Sequence, residues 1–282
     1  MQKTILITGC SSGIGLCAAE ILQKKGYRVF ATARKDSDLV KLKSLGLETV
    51  LLDVNDSDSI RRGLNDVLEK TGGTLDALFN NAGFAQAGAV EDLTRDMMRE
   101  QFETNVFGAM ELTNLVVPVM RKQGHGRIIQ NTSILGIVAM PFRGAYNASK
   151  FALEGFTHTL RQELYNTGIF VSIIAPGPIH SNLRKNALLH YEENLSQRKS
   201  IHRDLYTKME KYFFKLTASE KRFTQGPDAV VKKLICALES KHPKAHYYVT
   251  FSAHLFAVLR RILPDSALDA LMVKINRSEM GE

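Results

Sequence analysis

Thiols, long apolar runs and repeats are all scarce in this chain. Only three cysteines, Cys10, Cys17 and Cys236, occur among 282 residues, and they form no pattern. That excludes a disulfide framework and a thiolate-bound structural zinc. The eight histidines show no ligand spacing either, so no metal site is expected. No apolar run approaches the ~20 residues that a membrane-spanning helix requires. Residues 1–9 carry one lysine and a short apolar stretch, which suits a first buried strand rather than a signal peptide. No repeat, low-complexity segment or linker breaks the chain, so residues 1–282 are expected to form one domain, located in the cytoplasm.

What is present is the balance of a soluble globular protein, with 44% hydrophobic and 23% charged residues, enough to bury a full core. The net charge of +8 is concentrated late: from Asn182 onward, 18 Lys and Arg face 11 Asp and Glu. No nucleic-acid-binding module accompanies this excess, so nucleic acid is not an expected partner. Three readings of the basic region stay open. It is a solvated face, a helix packed on its own domain or another subunit, or a surface for anionic lipid.

Short apolar runs alternate with helix-period segments over the first two thirds. Strands are expected at residues 4–8, 28–31, 49–53, 75–80, 127–131 and 170–175, with a last one at 247–250. Helices are expected at 14–25, 57–70, 94–122, 146–166 and 228–239. Strands rich in Ile, Leu and Val without alternation indicate burial on both faces. The class is therefore α/β, a doubly wound Rossmann-type parallel sheet of about seven strands with helices on both faces. Pro176-Gly177-Pro178 ends this regime. Residues 181–225 read as an irregular helical insertion, a substrate lid beyond the carboxyl end of strand six. Residues 251–282 read as an amphipathic helical tail broken by Pro264.

Thr8-Gly9-Cys10-Ser11-Ser12-Gly13-Ile14-Gly15 joins the first strand to the first helix. Glycines there allow a tight turn and let backbone approach a pyrophosphate, which a helix N-terminus favours. The spacing G-x-x-x-G-x-G differs from the common dinucleotide fingerprint. Cys10 within it reads as a small buried-edge residue. Further on, Tyr146 and Lys150 lie four residues apart, so a helix stacks phenol and ammonium on one side. A nearby cation is expected to pull the tyrosine pKa down toward the range of a general acid/base. Chance alone yields roughly half such a pair in a chain of this composition, so its context decides its meaning.

That context resembles the short-chain dehydrogenase/reductase family in its compact single-domain branch. After the glycine turn come Asn81-Ala82-Gly83, Asn105, Ser133, Tyr146-x-x-x-Lys150 and Pro176-Gly177, all in the family's order, over residues 3–179. The resemblance implies that Tyr146 exchanges a proton with a substrate carbonyl or alcohol. It implies that Lys150 lowers the Tyr146 pKa and holds the nicotinamide ribose. Ser133 is then the polarising group, and Asn105 places a water that continues the proton path. Asn131-Thr132 stands where the family often has a second serine before the catalytic one.

The cofactor set implied is Gly9, Ser11, Ser12, Gly13, Ile14 and Gly15, with Asn81, Ala82 and Gly83 beneath the dinucleotide. Tyr146 and Lys150 join it at the nicotinamide end, where Pro176, Gly177 and Ile179 form a border. Asp53 is placed at the adenine, flanked by Val54. At the end of strand two, Ala33 occupies the place of an acid that selects NAD, and Arg34 and Lys35 follow. A guanidinium suits a 2′-phosphate, so NADP is expected. The family also implies a homodimer or homotetramer through the two long helices. Leu135, Met140 and Phe142, with Leu188, Leu189, Leu195, Leu205, Met209, Phe213 and Phe214 of the insertion, suggest a long apolar pocket. A small apolar aldehyde, retinoid or steroid-like carbonyl or alcohol is the expected substrate. The competing reading is a non-catalytic dinucleotide-binding regulator or membrane-surface adaptor, which need not keep the four proton-transfer residues.

Overall fold

The computed structural model describes residues 2–213 and 224–280. Seven parallel strands form one sheet in the order β3-β2-β1-β4-β5-β6-β7. They are β1 (Thr4–Ile7), β2 (Arg28–Ala33), β3 (Glu48–Leu51), β4 (Ala77–Asn80), β5 (Gly126–Asn131), β6 (Ile169–Ala175) and β7 (His246–Tyr248). The order runs outward in both directions from β1 and β4, so the chain changes direction between them. That is the doubly wound arrangement expected, and its switch point is where ligands of open α/β sheets bind.

Helices cover both faces because the central strands are buried on both sides. On one face, α1 (Gly13–Lys24), α2 (Asp36–Ser44) and α9 (Pro227–Glu239) pack through Ala18, Leu22, Leu42 and Leu234 against Ile5, Ile7 and Phe79. On the other, α3 (Ser57–Thr71), α5 (Gly108–Gln123) and α6 (Gly144–Glu163) pack through Leu64, Val116 and Leu160 against Leu6, Leu78 and Ile128. Local chemistry sets the ends. Asp56 caps α3 by accepting from the Asp58 and Ser59 N–H groups, and Gly72 at φ 68° closes it in the left-handed region.

Residues 94–122 do not form the single helix expected. They divide into α4 (Arg95–Phe102), a π turn (Glu103–Phe107) and α5. The π turn widens the helical ladder at Asn105, where the side chain is needed on a neighbouring loop.

The insertion holds α7 (Leu183–Asn194), α8 (Arg203–Lys208) and a π turn (Met209–Phe213). Its base is stapled: His180 N–H donates to Gln225 O at 2.9 Å and Gln225 N–H to Pro178 O at 3.2 Å. Tyr191, Leu195, Tyr206 and Met209 are fully buried and pack on Ala87, Ala89 and Met97. Leu195 and Met209 are thus core of the insertion, not wall of an open pocket. Leu188 and Leu205 flank that core, and Leu189 faces solvent. Phe214 and the Phe213 side chain lie outside the described residues.

The tail forms α10 (Phe251–Ile262) and α11 (Asp265–Glu279). Ala253, Leu268 and Met272 pack on Ile134 and Val138, which follow β5, with Leu135 and Met140 at the margin. The inner faces of the tail therefore cover its own domain. An outward row of Phe251, Leu255, Val258 and Ile262 stays exposed. Among the described residues no helix is long and apolar enough to cross a membrane.

Candidate active site

Every strand from β1 to β6 delivers a predicted site residue at its carboxyl end. Asp53 and Val54 follow β3, Arg34 and Lys35 follow β2, and the glycine turn follows β1. Asn81–Gly83 follow β4, Ser133 follows β5, and Pro176, Gly177 and Ile179 follow β6. They therefore form one edge, ordered across the sheet.

The glycine turn is held by close approach. Gly9 has φ 71°, and a Cβ on Gly15 would lie 2.3 Å from Gly9 O and 2.7 Å from Asn81 Nδ2. Only glycine fits at position 15. Thr8 Oγ1 accepts from the Asn81 and Ala82 N–H groups at 2.9 and 3.0 Å, and Asn81 Nδ2 donates to Thr8 O at 3.0 Å. Asn131 Nδ2 donates to Asn81 Oδ1 at 2.9 Å, which joins β5 to the same clamp. Cys10 is fully buried and its thiol is pushed up to about 12 by desolvation, so it is structural.

A dinucleotide fits this edge on three counts. The turn offers a cradle that a side chain would fill. Ser12 caps α1 without a side-chain hydrogen bond, and the first helical turn has no acidic residue, so its N–H groups suit an anionic group. Arg34 and Lys35 are exposed at the end of β2, while Asp38 is 3.8 Å from Lys41. The carboxylate there is thus drawn to the lysine of its own helix.

Ser133, Tyr146, Lys150 and Asn105 converge beside Gly83. Lys150 Nζ donates to Asn131 O at 2.9 Å and lies 5.7 Å from the centroid of the Tyr146 ring. Asn105 Nδ2 donates to Phe84 O and to Ser149 Oγ, both at 3.0 Å, and Oδ1 accepts from Phe84 N–H at 3.0 Å. Ser133 caps the 3-10 turn Ile134–Gly136 by accepting from Leu135 N–H at 3.1 Å. The packed tail holds that turn in place.

Burial dominates the electrostatics. Desolvation pushes the Tyr146 hydroxyl up to about 12, against the pull of a hydrogen bond with Ser133 and the charge of Arg143. Lys150 is moved down to about 8, again by desolvation, with the Glu154 carboxylate opposing. The expected depression of the tyrosine by the lysine is therefore not the net result. Taking both groups out of water costs more than their separation returns. Tyr146 is a protonated acid at neutral pH.

Sequence reasoning missed four contributors. Thr8 and Asn131 act through backbone and amide bonds that no motif encodes. Arg143 and Glu154 flank the pair at −3 from Tyr146 and +4 from Lys150 on α6, and helical spacing alone would have flagged Glu154.

Comparison with known proteins agrees with this geometry. The family model described as short chain dehydrogenase matches residues 3–192. The uncharacterized oxidoreductase YbbO of Escherichia coli (strain K12) is 39% identical over 272 residues, 96% of this chain and 94% of that one. Human retinol dehydrogenase 8 is 35% identical over 262 residues, 86% of this chain and 79% of that one. A short-chain dehydrogenase from Streptomyces avermitilis has the same fold, with TM-score 0.77 and 27% identity, over 99% of this chain and 96% of that one. An actinorhodin polyketide ketoreductase variant solved with NADPH has TM-score 0.69 and 27% identity, over 88% of this chain and 95% of that one. With its glycine turn, its carboxyl-edge residues and these likenesses in agreement, the chain belongs to the short-chain dehydrogenase family of oxidoreductases.

Proposed function

We propose that this chain is an NADP-dependent oxidoreductase that interconverts a carbonyl and an alcohol on a small apolar substrate. The observation that carries the reading is the convergence of Ser133, Tyr146 and Lys150 beside a glycine turn built for a dinucleotide. Gly9–Gly15, Asn81–Gly83 and Pro176–Ile179 hold the cofactor, Asp53 and Val54 border its adenine, and Arg34 and Lys35 receive the 2′-phosphate. When bound, the dinucleotide supplies the hydride for reduction or receives it in oxidation.

The protein's own residues handle the proton. In reduction, Ser133 and Tyr146 both donate hydrogen bonds to the carbonyl oxygen, which favours charge developing there. Tyr146 then gives its proton to that oxygen, and the new alcohol carries it away. The phenolate left behind is stabilised by the Lys150 ammonium, and Lys150 is mostly protonated at neutral pH with its pKa at about 8. Asn105 has committed its amide to Phe84 and Ser149. A water that resupplies the proton is therefore assigned to its main-chain carbonyl, which lies within the π turn Glu103–Phe107.

An apolar substrate is supported by the likeness to retinol dehydrogenase 8 and by Phe142, which borders the insertion. Phe107 and Phe151 are exposed on the helices expected to join subunits, which supports a homo-oligomer. The test is turnover of NADPH against NADH with retinal, steroid ketones and medium-chain aldehydes. Reduction with NADPH is expected, and Tyr146→Phe should lower kcat by about 10²–10⁴-fold while NADPH still binds. Full turnover in that variant sinks the mechanism, and equal rates with NADH sink the cofactor assignment.

A further inference from the structure

The side of α6 that carries Tyr146 and Lys150 continues at four-residue steps through Glu154 to His158. His246, which opens edge strand β7, meets this row from the sheet. Its Nε2 is 2.7 Å from Glu154 Oε2, and His158 Nε2 is 3.6 Å from the same oxygen. One ligand atom from each of the three residues lies within 4.8 Å of the others. We propose that Glu154, His158 and His246 form a binding site for a divalent transition-metal ion, zinc fitting best, one helical turn from Lys150.

The donor set is that of an open zinc site, two imidazoles and one carboxylate with a fourth position for water. Imidazole ligands favour zinc, nickel or copper over magnesium and calcium. The carboxylate is already oriented: Thr132 Oγ1 donates to Glu154 Oε1 at 2.6 Å, which leaves Oε2 for the metal side. Glu154 is buried, whereas the side chains of His246 and His158 are 18% and 42% exposed, so an ion has a path from solvent. Zinc bonds of ~2.0–2.1 Å place tetrahedral ligand atoms roughly 3.3 Å apart. The observed 2.7 and 3.6 Å lie on either side of that spacing, and an ion takes the place of the proton in the His246–Glu154 hydrogen bond as the side chains adjust.

One neighbour opposes the ion. Arg161 Nη2 lies 2.7 Å from His158 Nδ1, and a guanidinium there can only donate. Ligation through His158 Nε2 puts the ring hydrogen on Nδ1, so Arg161 must turn away. An ion also takes up the Glu154 carboxylate, whose charge supports the Lys150 ammonium.

The test uses the full-length, untagged, chelator-treated protein. Zinc is titrated in competition with a chromophoric chelator, and cobalt is added separately to read its visible spectrum. One zinc per chain, a tetrahedral cobalt spectrum and a raised melting temperature are expected. His246→Ala and His158→Ala should each weaken zinc by at least about tenfold, and Arg161→Ala should tighten it. Circular dichroism and NADPH binding check that these partly exposed positions leave the fold intact. Absence of stoichiometric zinc binding, or equal affinity in both folded histidine variants, overturns the site.

Discussion

Arg143, three residues ahead of Tyr146, is ion-paired with Glu279 near the end of the last described helix. Their side chains are 11% and 17% exposed, so the pair is shielded from solvent. It fastens the tail to the segment entering α6, while Leu268 and Met272 of the same helix rest on the loop after Ser133. The placement of Tyr146 and Ser133 thus depends on a helix more than 100 residues away in sequence.

Replacing Glu279 by Gln removes one charge from this pair. Loss of one partner of a buried pair costs about 3 kcal/mol, to be read from denaturant unfolding. The Arg143 charge pulls the Tyr146 pKa down, and a carboxylate paired with that guanidinium is expected to offset part of its field. The variant should therefore move the alkaline limb of kcat/KM for reduction to lower pH. An unmoved limb would mean that Arg143 does not act on Tyr146.

Lys150 makes a second, independent prediction about pH. Its folded pKa of about 8 lies below the ordinary 10.5, so the folded state binds fewer protons than the unfolded state between those values. Stability then rises with pH wherever the unfolded state holds more protons. Relative to Lys150→Met, the wild type should gain roughly 1 kcal/mol per pH unit from pH ~8 to ~10. Activity should be lost in the variant at every pH. Parallel stability curves for the two proteins would mean that the lysine is not desolvated.

The proposed cofactor choice rests on Arg34, which is exposed and follows Ala33. A charge-assisted hydrogen bond to a 2′-phosphate contributes about 2 kcal/mol. Arg34→Ala should raise the Kd for NADPH by roughly 30-fold and leave that for NADH unchanged. Fluorescence titration measures both. Equal losses for the two cofactors would place Arg34 away from the phosphate.

The parts of this site that were legible in the sequence are the local ones. A glycine turn between a strand and a helix, and Tyr146 stacked on Lys150, are set by a few neighbouring residues. The doubly wound parallel sheet of about seven strands followed because apolar runs and crossovers leave few topologies, whereas no strand order was drawn from the sequence. The π turn at Glu103–Phe107 was not legible, since apolar periodicity does not report a five-residue hydrogen bond. Leu195 and Met209 look the same in sequence whether they line a pocket or fill a core. The net pKa of Tyr146 was misjudged because charge spacing is visible in the chain and desolvation is not. Arg143–Glu279 and Glu154–His246 join residues far apart in sequence, and only the fold brings them together.

Gly15 offers the sharpest steric test of the cofactor cradle. A methyl group there meets Gly9 O at 2.3 Å and Asn81 Nδ2 at 2.7 Å, both well inside contact distance. Neither atom yields easily. Gly9 is fixed at φ 71°, and Asn81 is tied to Thr8 and Asn131 by hydrogen bonds. Gly15→Ala therefore has to push the turn away from β4, at an overpacking cost of about 1–3 kcal/mol. The displaced turn no longer presents its N–H groups as one anion site, so NADPH affinity should fall much further than stability does. Gly155→Ala is the control, because a Cβ at Gly155 meets nothing within 4 Å on the same protein. Calorimetric titration with NADPH decides: a Gly15→Ala protein that binds as tightly as Gly155→Ala would place the dinucleotide elsewhere on the sheet edge.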